Sequence, residues 1–272
     1  MAKARTYEDT VVLVTGASGG LGRAMCHRYG AAGARLGLLD LDAAGVQALA
    51  DELAGDGISA LPLPCDITDP AACARAVATL ADHFGGGIDL LINNAGLTQR
   101  SAFADTSLDV FHKVMDVNFY GALNCTKAAL PHLMLRKGHI IAVSSIAGIS
   151  PLYGRTGYSA SKHAMVGLFS TLRSEMLEHG VGVTVACPGF IDTDFARRAL
   201  DGAGSVTPHP RSTVGDAATP EEVADDIFRA GRRDQALLVL SPTGQLSRVL
   251  GALAPGLYQR LMARALRKEL ER

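Results

Sequence analysis

The stretch Val11-Val12-Leu13-Val14-Thr15-Gly16-Ala17-Ser18-Gly19-Gly20-Leu21-Gly22 governs how the rest of this chain is read. Its first five residues, four of them β-branched, form a short apolar run of the kind that makes a buried strand. The glycines that follow, in the pattern Gly16-x-x-x-Gly20-x-Gly22, open a helix that continues through Arg23 to Ala32. Without Cβ atoms the backbone turns tightly and lets an anion approach, and the free amides and positive helix end face it. Strand, glycine turn and helix together predict a pyrophosphate cradle, although the spacing departs from the common G-x-G-x-x-G. The alternative at this point is a glycine-rich turn that binds nothing.

Similar runs recur at Arg35–Asp40, Ile58–Leu63, Ile88–Asn93, His139–Ser144, Val181–Cys187 and Ala236–Leu240, with helix-length stretches between most of them. They are apolar throughout instead of alternating, the pattern of strands covered by helices on both faces. The predicted fold is α/β: a doubly wound, Rossmann-type, parallel seven-stranded sheet with helices on both faces, followed by C-terminal amphipathic helices. One domain, 1–272, is expected, with an N-terminal arm at 1–9, a substrate lid over 194–219 that is rich in Gly and Pro from Asp201 on, and a helical extension over 241–272. Such sheets bind ligands at the carboxyl ends of their strands, so the chemistry is sought there.

Hydrophobic residues make up 48% of the chain and aromatics 5%, without Trp, which suits a core of Val, Ile, Leu and Ala and argues against disorder. The net charge of -1 gives no global attraction to nucleic acid, and no such partner is expected. The charge is uneven, however. Between Ser241 and Arg272 six basic residues (Arg248, Arg260, Arg264, Arg267, Lys268, Arg272) face only Glu269 and Glu271, a net +4 against -5 for the remainder. The cysteines Cys26, Cys65, Cys73, Cys125 and Cys187 form no C-x-x-C pair, so neither a metal site nor a disulfide framework is expected. The polar start, Met1 to Thr10, lacks a signal-peptide core, and no run approaches the roughly 20 apolar residues of a membrane span; a soluble, cytoplasmic protein with reduced thiols is the expectation.

Asp40 closes the second strand about 20 residues beyond the glycines, where a carboxylate accepts both ribose hydroxyls of NAD and repels a 2′-phosphate. NAD is the expected cofactor, with NADP possible because Arg23 and Arg35 lie near in sequence. Alternatively Asp40 caps the next helix, a role open to Asp42 as well. Further on, Tyr158-Ser159-Ala160-Ser161-Lys162 sets a phenol and an ammonium one helical turn apart on one face. Bringing a phenol from its usual pKa near 10 to neutrality takes about 4 kcal/mol, the order that one cation at ~4 Å supplies at an effective dielectric near 20, while burial pushes the other way. Alone, such a pair arises often by chance.

In chain order, the glycine pattern, Asn93-Asn94-Ala95-Gly96 after the fourth strand, Ser144-Ser145 after the fifth, Tyr158 thirteen residues later and Pro188-Gly189 after the sixth resemble the classical short-chain dehydrogenase/reductase family over about Thr10 to Leu240. The resemblance implies a catalytic tetrad of Asn118, Ser145, Tyr158 and Lys162. Tyr158 would be the general base in oxidation and general acid in reduction, with Ser145 on the substrate oxygen, Lys162 on the nicotinamide ribose and Asn118 holding a water that relays the proton. It implies cofactor contacts at Gly16, Ser18, Gly20, Leu21, Gly22, Asp40, Asp66, Ile67, Asn94, Ala95, Gly96, Tyr158, Lys162, Pro188, Gly189, Ile191 and Thr193. Structural roles compete at some of these: Asn118 satisfying buried backbone groups, Asp66 starting a helix at Thr68, Pro188-Gly189 ending a strand.

Around the substrate the resemblance places Leu97, Ser145, Ile146, Leu152, Tyr153, Phe190 and Phe195, a largely apolar set that implies a hydrophobic secondary alcohol or its ketone, though some of these side chains suit plain core packing equally. The expected activity is NAD-dependent oxidoreduction of such a substrate. An NADP-dependent carbonyl reductase and a non-catalytic dinucleotide-sensing or scaffold protein are the alternatives. In the tail, Leu246, Val249, Leu250 and Leu253, then Leu257, Leu261, Ala265 and Leu266, keep helical spacing on either side of Pro255-Gly256. Tetrameric members of the family end instead in a compact segment that joins an interface, so a homodimer built on the helices after Ser107 and Thr156 is expected here. The tail is expected to pack on its own fold or a partner subunit, to which peripheral membrane contact is the less favoured alternative.

Overall fold

A computed structural model of the chain describes residues 4–207 and 217–267. Strands β1 (Val11–Thr15), β2 (Arg35–Asp40), β3 (Ala60–Pro64), β4 (Leu90–Asn93), β5 (His139–Val143), β6 (Gly182–Cys187) and β7 (Leu237–Val239) form one parallel sheet in the order β3-β2-β1-β4-β5-β6-β7. The chain winds from β1 to the β3 edge, returns to place β4 beside β1, and winds on to β7. The crevice at the carboxyl ends of β1 and β4 is therefore the switch point where such sheets bind ligands.

The helices are α1 (Gly20–Gly30), α2 (Ala43–Gly55), α3 (Pro70–His83), α4 (Leu108–Met115), α5 (Gly121–Arg136), α6 (Thr156–Glu175), α7 (Pro220–Arg232), α8 (Pro242–Leu253) and α9 (Pro255–Leu266). Because successive strand residues point to opposite faces, β1 divides between two cores. Val12 and Val14 pack with Met25 and Tyr29 of α1, Leu49 of α2 and Ile227 of α7. Val11 and Leu13 pack with Leu80 of α3, Leu133 of α5 and Phe169 of α6. Each fully buried side chain of this size stabilises the fold by roughly 1.5–3 kcal/mol.

The strands depart from the sequence expectation only at their ends. β3 begins at Ala60 because Ile58 turns in against Gly30, where an added Cβ would stand 2.5 Å from the Ile58 Cγ2. Pro62 and Pro64 are tolerated because β3 is an edge strand paired only with β2. The described part of the arm is not free: Tyr7 is buried against Tyr29 and Phe228 at ring separations of 4.8 and 5.1 Å. Of the expected lid, 208–216 lie outside the described residues. Its first part is pinned to the sheet end, with the Leu200 amide donating to the Thr98 carbonyl at 2.9 Å and the Arg100 amide to the Leu200 carbonyl at 2.7 Å. The two tail helices are present with the break at Ala254. They dock on the loop after β5, where Gly244 meets Ile146 and the Tyr258 hydroxyl donates to the Pro151 carbonyl at 2.9 Å. Among the described residues, no helix is long and apolar enough to cross a membrane.

Candidate active site

A cavity of about 870 Å³ runs along the carboxyl ends of the strands, from the glycine turn past Tyr158 to the tail helices. At its first end Gly16 has φ 66°, and a Cβ on Gly22 would lie 2.0 Å from the Gly16 carbonyl oxygen, so the turn closes only with glycine at both places. Thr15, which sequence reasoning passed over, joins β1 to β4: its Oγ1 accepts from the Asn94 and Ala95 amides at 2.9 and 3.0 Å. The Asn94 amide group donates back to the carbonyls of Thr15 and Gly16. Gly16, Ser18, Gly20, Leu21 and Gly22 line this end together with Asn94, Ala95 and Gly96, and Thr193 sits over Gly20, where an added Cβ would be 2.8 Å from its methyl.

Asp40 lines the cavity and receives the Ser18 amide and hydroxyl on Oδ2, at 3.0 and 2.7 Å. The cap of α2 belongs to Asp42, which accepts from the Gly45 amide at 3.0 Å, so the capping alternative for Asp40 falls away. Neither nearby arginine turns toward it. Arg23 pairs with Glu52, and Arg35 donates to the carbonyls of Phe84 and Asp9 at the far end of β2. Asp66 and Ile67 line the cavity beyond β3. Asp66 also holds the Thr68 turn, but α3 starts at Pro70 with Asp69 as its cap, not at Thr68, because the Asp69 carboxylate takes the Ala71 amide.

Tyr158 and Lys162 lie on α6, both buried. Ser145 stands beside the phenol on the cavity wall, whereas the Ser144 hydroxyl donates to the Lys162 carbonyl at 2.9 Å and ties β5 to α6. The Lys162 Nζ donates to the Val143 carbonyl at 2.9 Å and stands 5.9 Å from the Tyr158 ring centre. The two groups thus share one face of α6 as their spacing implied, and the backbone acceptor at the end of β5 holds the ammonium beneath the ring. Burial pushes the Tyr158 phenol above its ordinary value, opposed by the nearby Ser145 hydroxyl and the Arg155 charge. The same burial lowers Lys162 to about 8.

Asn118 sits in a π turn, Asp116–Tyr120, between α4 and α5. Its Oδ1 accepts from the Leu97 amide at 2.8 Å, and its Nδ2 donates to the Leu97 carbonyl and the Ser161 hydroxyl at 2.9 Å each. Both N–H groups of the side chain are thus engaged in tying the loop after β4 to α6, and the residue lies behind the cavity wall.

Leu97, Ile146, Leu152, Phe190 and Phe195 line the substrate end, with Pro188, Gly189 and Ile191 between them and the cofactor end. Tyr153 does not. The turn through Gly154, at φ 70°, carries it off the wall, and Arg155 takes the place. The wall is also less uniformly apolar than the sequence implied. Arg100 and Arg155, only 4% and 5% exposed, lie in it and donate to the carbonyls of Ala196 and Tyr153. Gln99, buried behind them, accepts the Tyr158 amide on Oε1 at 2.9 Å. The far wall is the tail itself, through Leu246, Leu250, Tyr258, Leu261, Met262 and Leu266. Apolar periodicity foretold these helices but not which face meets the cavity.

The sequence profile of the family described as short chain dehydrogenase matches residues 10–203. The chain belongs to the short-chain dehydrogenase family. It is 40% identical over 274 residues to dehydrogenase/reductase SDR family member 7B of Bos taurus, covering 97% of this chain and 84% of that one, so the tail is part of the likeness. Among solved structures, the apo form of LigD from Sphingobium sp. strain SYK-6 is 26% identical with a TM-score of 0.78, covering 92% of this chain and 97% of its own. A short chain dehydrogenase/reductase from Burkholderia phymatum in complex with NAD is 24% identical with a TM-score of 0.83, covering 93% and 96%, and shares the fold. In this short-chain dehydrogenase, then, an oxidoreductase sheet carries a cavity whose outer wall comes from the helices beyond β7.

Proposed function

We propose that this short-chain dehydrogenase is an NAD-dependent enzyme that interconverts a hydrophobic secondary alcohol and its ketone, with Tyr158 moving the proton. The observation that carries this reading is that Tyr158, with Ser145 beside it and Lys162 beneath its ring, opens on the same cavity as the Gly16–Gly22 cradle and Asp40. The cradle fits a dinucleotide because close approach to its backbone depends on side chains it lacks, and Asp40 fits unphosphorylated ribose because neither Arg23 nor Arg35 turns toward it. Bound NAD supplies the hydride acceptor or donor and, when oxidised, a positive charge that favours the phenolate.

The chain's own residues do the rest. Ser145 orients the substrate oxygen at the phenol, and Tyr158, kept protonated by burial, is poised as the acid for ketone reduction; in the reverse direction it takes the alcohol proton as the phenolate that oxidised NAD favours. Lys162, with one N–H on the Val143 carbonyl and one on the Met165 sulfur, offers its third to the cofactor ribose. Asn118 acts by fixing Leu97, so any water it holds is held by its backbone. We also read a reducing, cytoplasmic setting from five buried cysteines free of disulfides, and a homodimer through the helices after Ser107 and Thr156, where Leu108 of α4, Tyr120 of the turn that follows it and Leu135 of α5 are exposed.

A panel of secondary alcohols of graded size, incubated with NAD+ or NADP+ and followed by nicotinamide absorbance, tests this reading. Turnover is expected with NAD+, rising with apolar size, and at least tenfold lower kcat/KM with NADP+. Equal use of NADP+ overturns the cofactor assignment. Binding of NAD with no turnover across the panel favours the scaffold alternative.

A further inference from the structure

The tail helices leave much of their apolar surface uncovered. Leu246, Val249 and Leu253 recur at helical spacing on α8 and are 65%, 54% and 82% exposed; Leu257 and Leu261 on α9 are 52% and 48% exposed. Five large side chains on two adjoining helices make a contiguous patch where single exposed leucines would call for no explanation. The patch is flanked by exposed Arg248, Arg260, Arg264 and Arg267, and no acidic residue occurs between Ser241 and Arg267. Apolar stripe and net cationic flank together are the composition of a helix that lies in the headgroup region of a bilayer. Leu246 and Leu261 belong to the patch and also line the cavity, so the cavity opens through it.

We propose that α8 and α9 dock this protein on an anionic lipid surface, with the cavity mouth facing the bilayer. Charge decides for lipid over a second copy of the chain. A symmetric dimer across this face would bring two arginine sets of the same sign together, whereas anionic headgroups neutralise them. Length decides for lying on the membrane over crossing it, since α8 and α9 have 12 residues each. The docking stands independently of the reaction; only the corollary, that an apolar substrate enters from the bilayer, rests on the function proposed above.

Flotation of the full chain with phosphatidylcholine vesicles, with and without phosphatidylserine, tests the docking without reference to turnover. The protein should float with the phosphatidylserine vesicles at low salt, less at raised salt, and hardly at all with phosphatidylcholine alone. Arg260→Gln and Arg264→Gln should each lower the partition constant roughly fivefold. The double variant Leu253→Glu, Leu257→Glu should lower it at least tenfold while keeping its thermal midpoint and NAD affinity, because both side chains point away from the cavity wall. Wild-type protein that stays unbound on phosphatidylserine vesicles, or binding that the double glutamate variant leaves unchanged, overturns the proposal. Self-association that disappears in the Leu253→Glu variant, with vesicles ignored, would instead make the face a dimer interface.

Discussion

Gln99 holds the catalytic turn in place from a buried position, accepting the Tyr158 amide in the first turn of α6. Replacing it with leucine leaves that amide without a partner, which costs about 1–3 kcal/mol and lets the phenol drift from Ser145. The Gln99→Leu variant should therefore lose kcat at least tenfold with little change in the KM for NAD; a variant that only melts earlier, with kcat intact, would reduce Gln99 to a structural role. Gly22 makes a sharper case. A methyl group there would lie 2.0 Å from the Gly16 carbonyl oxygen, so Gly22→Ala must open the turn and should weaken NAD binding at least tenfold by titration calorimetry. The glycines were legible in the sequence because their spacing expresses one backbone geometry, and Tyr158 because of its place in an ordered series of strand-end motifs that resembles the family. The Lys162 contact was not, because i, i+4 spacing sets the face of the helix and says nothing of the Val143 carbonyl that competes for the ammonium.

Two elements carry stability that solution measurements can reach. At the start of β5, His139 is buried with its Nε2 on the Thr184 hydroxyl at 2.9 Å, in the company of Asp234, Arg173 and Arg5. Burial first, then the positive charge of Arg5, takes its pKa from 6.5 down to about 3. The unfolded chain thus binds a proton below its ordinary value that the folded chain refuses, and stability falls as pH falls from about 6.5, by about 1.4 kcal/mol per unit from this group. Melting midpoints between about pH 7 and pH 5 should drop less steeply for His139→Gln than for the wild type; parallel slopes would contradict this account. The start of α7 is held by a reciprocal cap, Thr219 Oγ1 accepting from the Glu222 amide and the Glu222 carboxylate from the Thr219 amide, at 3.2 and 3.0 Å. Thr219→Ala should cost about 1 kcal/mol, read as a lower denaturant midpoint at unchanged slope.

For the molecule as a whole, the sheet was readable because strands buried on both faces are apolar throughout, and β1 through β7 fell within two residues of the runs that announced them. The cavity was only half readable. Its cofactor end is made of strand-end backbone, which glycines and Asp40 betray, but its substrate end is assembled from segments far apart in the chain, α8 and α9 among them. Arg100 and Arg155 each lie three residues from a residue that was singled out, Leu97 and Tyr158, yet an arginine in a loop gives no sign that the fold will bury it. The tail's place in the wall makes Met262→Trp informative. It should raise KM for bulky alcohols several-fold and spare small ones, whereas a uniform change would remove α9 from the substrate site.

The proton-transfer role of Tyr158 is the claim on which the proposed reaction depends. The most direct test is the rate of NAD+ reduction with the best alcohol of the panel, compared between the wild type and Tyr158→Phe, with NAD affinity measured in parallel. Loss of roughly 10²–10⁴-fold in kcat at nearly unchanged NAD affinity is the predicted result; turnover that survives in the phenylalanine variant would contradict it.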